Sequence, residues 1–258
     1  MRNHTLIAAA ALVLLPAALG AQESWSWARA LAPGKTIEIK GVNGGVEATL
    51  ASGDQVRVTA RKHARRSDVE SVKLEVVEHP DGVTICAVYP APAGRPDNEC
   101  RPGAGGRNNV RNNDVTVDFT VEVPRGVNLV GRTVNGGVTA EALQSDVEAR
   151  TVNGGIEIAT TGLTSAHTVN GSVDVTIGRA DWKDQLEIET VNGGIRFHVR
   201  GDLNAQVTAT TVNGDIDTDF PLTIQGRFGP RRLTGTIGNG GRELSLKTVN
   251  GDIAILKL

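Results

Sequence analysis

Five aspartates come nearest, by type and spacing, to doing chemistry in this chain. Asp215, Asp217 and Asp219 alternate along one short run, and Asp174 and Asp252 hold related places in other copies of a repeated motif. Alternate residues of a strand share a face, so the set would form an acidic ladder able to bind Ca²⁺ or to supply the carboxylates of a polysaccharide-active enzyme. A plainer reading fits better. Carboxylates on the wet side of strands keep edges and surfaces soluble, and the Gly-Gly-x-Gly-x-Asp nonapeptide of calcium-binding repeats is absent. His167 and His198 flank turns of different copies without a third ligand, which reads as surface strand and not as a metal site. No nucleophile–base pair, phosphate loop or dinucleotide fingerprint is present. The expectation is a non-enzyme with no catalytic residues, no cofactor and no metal.

Two further groups have reactive or binding chemistry. Cys86 and Cys100 are the only cysteines, and they bracket Pro90, Pro92, Gly94 and Pro96. A disulfide across an irregular loop is predicted, contributing about 3 kcal/mol in the chain-entropy view. A redox or zinc pair would need Cys-x-x-Cys spacing or two more ligands. Arg61, Lys62, His63, Arg65 and Arg66 form the one dense basic cluster. It could meet anionic lipid or cell-wall polymer, but beside Asp68 and Glu70 it reads better as a solvated loop. Aromatic platforms for sugars are scarce: Trp182, Tyr89 and four Phe, besides the amino-terminal Trp25 and Trp27.

The elements that would position these groups come from repetition. Thr-Val-Asn-Gly occurs six times, ending at Gly136, Gly154, Gly171, Gly193, Gly214 and Gly251, and a seventh Val-Asn-Gly closes at Gly44. The spacing is 18 residues from Asn135 to Asn153, 17 to Asn170, 22 to Asn192, 21 to Asn213 and 37 to Asn250, with a degenerate copy at Gly238-Asn239-Gly240-Gly241 inside the last gap. Such a period suits a single-coil repeat of two strands and two turns. Around Asn192, Leu186, Ile188 and Thr190 share one face with Ile195, Phe197 and Val199, while Glu187, Glu189, Arg196 and His198 face the other way. That period-2 pattern is strand chemistry.

Asn-Gly between such runs is a strong hairpin signal, which would pair Thr190 with Ile195. It is equally a corner of a parallel solenoid, in which equivalent residues stack from coil to coil. A hairpin gives no reason to repeat the Thr-Val before Asn-Gly, whereas stacking does. The predicted fold is therefore all-β, a parallel β-solenoid or β-helix of about 17–22-residue repeats, with an antiparallel hairpin meander as the alternative. The predicted corners are Asn43, Asn135, Asn153, Asn170, Asn192, Asn213 and Asn250, which tolerate left-handed backbone.

Composition agrees. The chain is 39% hydrophobic but only 3% aromatic, so a core of Val, Ile, Leu, Ala and Thr suits thin coils, and 31 Gly suit many corners. A net charge of −2 argues against a nucleic-acid partner. Arg2 and His4 precede an apolar run from Leu6 to Leu15, and Ala18, Gly20 and Ala21 offer a cleavage site, so residues 1–21 read as a signal peptide. The mature chain is expected in the periplasm or outside the cell, without a transmembrane segment. Residues 22–258 read as one β-repeat domain, interrupted by an irregular, disulfide-bearing loop near residues 86–114.

The Ser24-Trp25-Ser26-Trp27 opening, the run from Pro33 to Ile39, the strand from Val117 to Pro124, the Thr-Val-Asn-Gly copies and the close from Gly235 to Ile253 together resemble the bacterial "putative adhesin" β-strand-repeat family of unknown function. They are also similar to autotransporter adhesin heads. The resemblance spans about Trp25 to Leu258. It implies a parallel β-helix, no catalytic residues, and an adhesin-like or envelope-interaction role toward an unidentified protein or glycan. A β-helix polysaccharide-active enzyme and a structural or stress-signalling envelope component are the alternatives.

Overall fold

The computed structural model describes residues 22–178, 185–199, 204–225 and 230–258. The expected signal peptide and Trp182 lie outside the described residues. In chain order the strands are β1 (Gln22–Ala30), β2 (Thr36–Lys40), β3 (Val46–Leu50), β4 (Gln55–His63), β5 (Lys73–His79), β6 (Gly82–Val88) and β7 (Thr116–Val123). Next come β8 (Asn128–Arg132), β9 (Val138–Leu143), β10 (Val147–Arg150), β11 (Ile156–Thr160), β12 (Thr164–His167), β13 (Val173–Ile177), β14 (Leu186–Glu189) and β15 (Ile195–Val199). The last are β16 (Ala205–Thr211), β17 (Ile216–Thr218), β18 (Thr223–Gln225), β19 (Arg231–Ile237), β20 (Glu243–Lys247) and β21 (Ile253–Lys257). The fold is all-β and solenoid-like.

Each Asn-Gly corner is entered from one sheet and left into another. The inbound sheet runs β18-β19-β16-β20-β14-β12-β10-β8-β2-β6-β5, and the outbound sheet β1-β4-β7-β3-β9-β11-β13-β15-β21-β17. Within each, strands of neighbouring coils pair in parallel and equivalent residues fall in register. One outbound row reads Val46, Val138, Ile156, Val173, Ile195, Ile253, Ile216. Every side chain in that row is buried. Burying such a side chain stabilises by about 1.5–3 kcal/mol, so the core is a set of aliphatic rows between two sheets. The hairpin alternative gives way here. Thr190 N donates to Lys247 O and Ile195 N to Asp252 O, both in a neighbouring coil, so the two residues do not pair with each other.

Two details depart from the sequence reading. The carboxy-terminal coil, β20 and β21, sits between the β14–β15 coil and the β16–β17 coil, so Asn250 bridges Asn192 and Asn213. Insertion gives the last strands a neighbour on both sides and leaves β19, antiparallel to both β16 and β18, to cover the end with β18. The degenerate copy is no corner of the stack. Gly238, Gly240 and Gly241 have φ of 57°, 69° and 106°, a glycine-only turn from β19 to β20, and Asn239 N donates to Asn204 Oδ1.

At the other end β6 and β7 form one more coil, whose corner is replaced by residues 89–115. Beyond it β4 and β1 extend the outbound sheet and β5 the inbound one, all antiparallel.

Glycine in the motif is demanded by the stack. A Cβ on Gly154 would lie 2.1 Å from the carbonyl oxygen of Gly136, and on Gly171 2.0 Å from that of Gly154. We expect Gly154→Ala to cost about 3 kcal/mol in equilibrium denaturation. Gly53→Ala, where nothing lies within 4 Å, should leave the midpoint unchanged.

Candidate functional site

The corners pile into one continuous edge, and each letter of the motif has a separate part in it. Thr hydroxyls are buried and donate to the Gly carbonyl of the adjoining corner, Thr151 to Gly136 and Thr168 to Gly154 at 2.8 and 2.9 Å. Thr133, Thr190, Thr248 and Thr211 do the same to Gly44, Gly171, Gly193 and Gly251. The asparagines form one polarised ladder: Asn213 donates to Asn250, then Asn192, Asn170, Asn153, Asn135 and Asn43 in turn, at 2.7–2.9 Å. Asn43 ends it on the carbonyl of Val115 at 3.2 Å. The structure thus brings all seven sequence-derived corner residues together.

Valine is the letter the stack does not use. Val134, Val152, Val169, Val191, Val249 and Val212 are each 38–39% exposed, an aliphatic stripe about 24 Å long at the strand spacing. Val42, beside the 89–115 segment, is buried instead.

Along the stripe runs a groove of about 720 Å³, with Val169, Val191 and Val249 on one side and Arg150, His167, Glu189 and Lys247 on the other. Coil stacking assembles this polar wall. His167, Glu189 and Lys247 each stand three residues before a ladder asparagine and fall into adjacent register. Lys247 Nζ donates to Glu187 and Glu189, both at 2.8 Å, which raises its pKa to about 12. The same contact with Lys247 lowers that of Glu187. His167 Nδ1 lies 3.6 Å from Glu189. Burial first, and Arg150 next, lower the His167 pKa against the opposing pull of Glu189 and Glu187.

His167, Glu187 and Glu189 place ligand atoms within 4.8 Å of one another, a cluster missed by the sequence reading, which set His167 beside His198 without a third ligand. The Lys247 ammonium already supplies the cation there, so the residues fit an ion-pair network better than a metal site. The shared offset of three residues from Asn170 and Asn192 was the signal that could have found it.

The acidic ladder assembles only in part: Asp252 lies beside Asp215 in the adjoining coil, but Asp174 stands apart from them. Asp174, Arg196, Ala254 and Asp217 occupy one row in that order, which sets the two carboxylates about 14 Å apart at the strand spacing. Asp174 meets His198 at 3.3 Å, Asp215 pairs with Arg231, Asp252 accepts from Asp215 N, and Asp219 accepts from Lys257 N. Nor is the basic cluster one patch. Lys62 is buried, ion-paired with Glu23 and donating to Val72 O. The backbone N–H groups of Arg65, Arg66 and Ser67 are taken by the Asp114 carboxylate, and its hydrogen bonds with Ser67 foremost hold its pKa down to about 2.

Cys86 and Cys100 form the one disulfide and hold a loop that packs on the outer face of the inbound sheet. Lys40 Nζ is cradled by the carbonyls of Arg101, Gly103 and Gly105 at 2.7–2.9 Å. The buried Glu38 accepts from Gly103 N and from Thr84 Oγ1 and pairs with Arg132 at 3.1 Å. Charge, more than apolar burial, orders this loop.

Two outcomes follow. Lys40→Met should speed tryptic cleavage at Arg107 severalfold with the disulfide intact, read by mass spectrometry. Folded His167 resists protonation more than the unfolded residue does, so its contribution to stability is present above about pH 6.5 and lost as pH falls below it. His167→Gln should flatten that part of the plot of unfolding free energy against pH.

Among curated proteins none matches the sequence. Two crystal structures are similar over most of the chain. One is a "putative cell adhesion protein" from Clostridium sporogenes, 11% identical, with 92% of this chain and 100% of that chain covered and a TM-score of 0.46. The other is a "putative adhesin" from Bacteroides fragilis, 12% identical, with 91% and 97% covered and a TM-score of 0.37. Residues 132–256, the run of stacked coils from the end of β8 to β21, match the Toastrack DUF4097 family model, a family of unassigned function.

Proposed function

We propose that this chain is an exported, non-enzymatic interaction module of the cell envelope, adhesin-like in role, with residues 22–258 acting as one parallel β-solenoid domain. The exposed valine stripe carries the reading. Thr, Asn and Gly of each corner are accounted for by coil-to-coil contacts, whereas the repeated valine contributes little to the core and is held in a straight apolar row at the surface. Contiguous exposed apolar surface rimmed by polar groups marks interaction sites, and here Arg150, His167, Glu189 and Lys247 form that rim.

The partner this surface suits is a protein of the envelope more than a glycan. A sugar ring stacks on exposed aromatic faces, yet among the described residues no Trp, Tyr or Phe lines this groove. Aliphatic side chains of an apposed polypeptide match a valine row instead. Export rests on the charged start, apolar run and small-residue site of residues 1–21. Among the described residues no helix is long and apolar enough to cross a membrane. Asp174 and Asp217, about 14 Å apart at the strand spacing, stand farther apart than the roughly 5–10 Å that glycoside hydrolysis uses.

Val169→Glu combined with Val191→Glu should abolish capture of an envelope protein by the immobilised chain while leaving the thermal unfolding midpoint within about 2 °C of the parent. No enriched partner for the parent, together with hydrolysis of a polysaccharide panel that is lost on Asp217→Asn, would turn the assignment to an enzyme.

A further inference from the structure

The sheets of this molecule end on four strands, and three of them are ill-suited to pairing. β17 and β18 have three residues each, and β5 carries Lys73, Glu75 and Glu78, the charged dressing that blunts an edge. β1 differs. It has nine residues, pairs among the described residues only with β4, and does so in unbroken register from Gln22 opposite His63 to Ala30 opposite Gln55. It has no proline, lysine or bulge. Its outer face shows small exposed residues, Ser24, Ser26, Ala28 and Ala30. Its inner face carries Glu23, Trp25, Trp27 and Arg29, with both indoles partly buried against the end of the core. Beyond the β6–β7 coil the outbound sheet has two more strands and the inbound sheet one, so β1 overhangs β5 and its indoles stay partly uncovered.

We propose that a second copy of this chain pairs here, β1 antiparallel to β1 about a two-fold axis through Ser26, joining the two outbound sheets. The register follows from the side chains. Inner must face inner, which permits only centres that fall on a residue. A centre at Trp25 sets Glu23 against Trp27 of the partner subunit, and a centre at Trp27 sets Trp25 against Arg29 of the partner subunit. The centre at Ser26 sets Glu23 against Arg29 of the partner subunit and Trp25 against Trp27 of the partner subunit, twice each by symmetry. Opposite charges and aromatic pairs directly across antiparallel strands are the stabilising combinations. Within its own chain Glu23 is ion-paired with Lys62 and Arg29 with Glu78, so each crossing pair completes a row of four charges of alternating sign. The indoles of both copies close over the end of the core that each leaves part-covered. The interface is isologous, as a closed dimer requires, and lies at the end of the stack, away from the valine stripe.

Sedimentation of the purified protein at about 100 µM tests this, a concentration at which a micromolar dimer is nearly complete. The parent should sediment as a dimer, and Ser26→Glu, which sets like charges against each other on the axis, should raise the dimer dissociation constant at least about tenfold. Both native cysteines are in the disulfide, so an introduced thiol reports alone. Ser26→Cys should give a disulfide-linked dimer on a non-reducing gel, and Ala28→Cys, which faces Ser24 of the partner subunit, should not. A monomeric parent, or cross-linking by Ala28→Cys as complete as that by Ser26→Cys, would overturn the proposal.

Discussion

The contact on which the rest of this structure depends is a glycine Cα lying against the carbonyl of the glycine one coil away. Nothing larger than hydrogen fits: a Cβ would come within 2.0–2.2 Å of that oxygen at Gly136, Gly154, Gly171, Gly193, Gly214 and Gly251. Close approach brings the Thr hydroxyl within reach of the same carbonyl and sets the asparagine amides in line, so one steric allowance yields two hydrogen bonds per coil. Each is worth about 1 kcal/mol net, but their larger effect is on register. A slip by one residue would send every inward side chain outward and break the ladder at once.

With the corners locked, the faces of both sheets become rows of equivalent positions, and charge is distributed along them. Stacking identical charges would repel. Instead Lys247 lies between Glu187 and Glu189, Arg132 lies between Glu38 and Glu148, and Asp174 meets His198. The same logic orders the disulfide loop, whose carbonyls converge on Lys40. Where cations do stack, at Lys40, Arg132 and Arg150, Glu38 and Glu148 two residues along the strands offset them. The valines are left as the one repeated feature that faces water without a partner.

Ends need another solution, since stacking stops there. The carboxy-terminal coil is tucked inward and covered by antiparallel strands, and at the amino-terminal side the corner is replaced by a disulfide-closed segment whose Val115 carbonyl receives the last asparagine amide. These devices cap the ladder. β1 is where capping is incomplete, because a nine-residue strand with small residues on its outer face meets no further strand among the described residues.

The sequence by itself determined the repeating unit, the inward and outward residues, the asparagine corners and the cysteine pair, because each is local: alternation, Asn-Gly and the motif spacing lie within one coil or one loop. Only the tertiary structure decided the order of the coils. A separation of 58 residues in sequence does not keep Asn250 from lying next to Asn192, because an inserted strand has two neighbours and an edge strand one. For the same reason Asp174 was parted from the other aspartates while His167, Glu187, Glu189 and Lys247 came together. Which side chains share a row depends on which coil lies beside which, and that ordering is set by how the ends of the stack are closed.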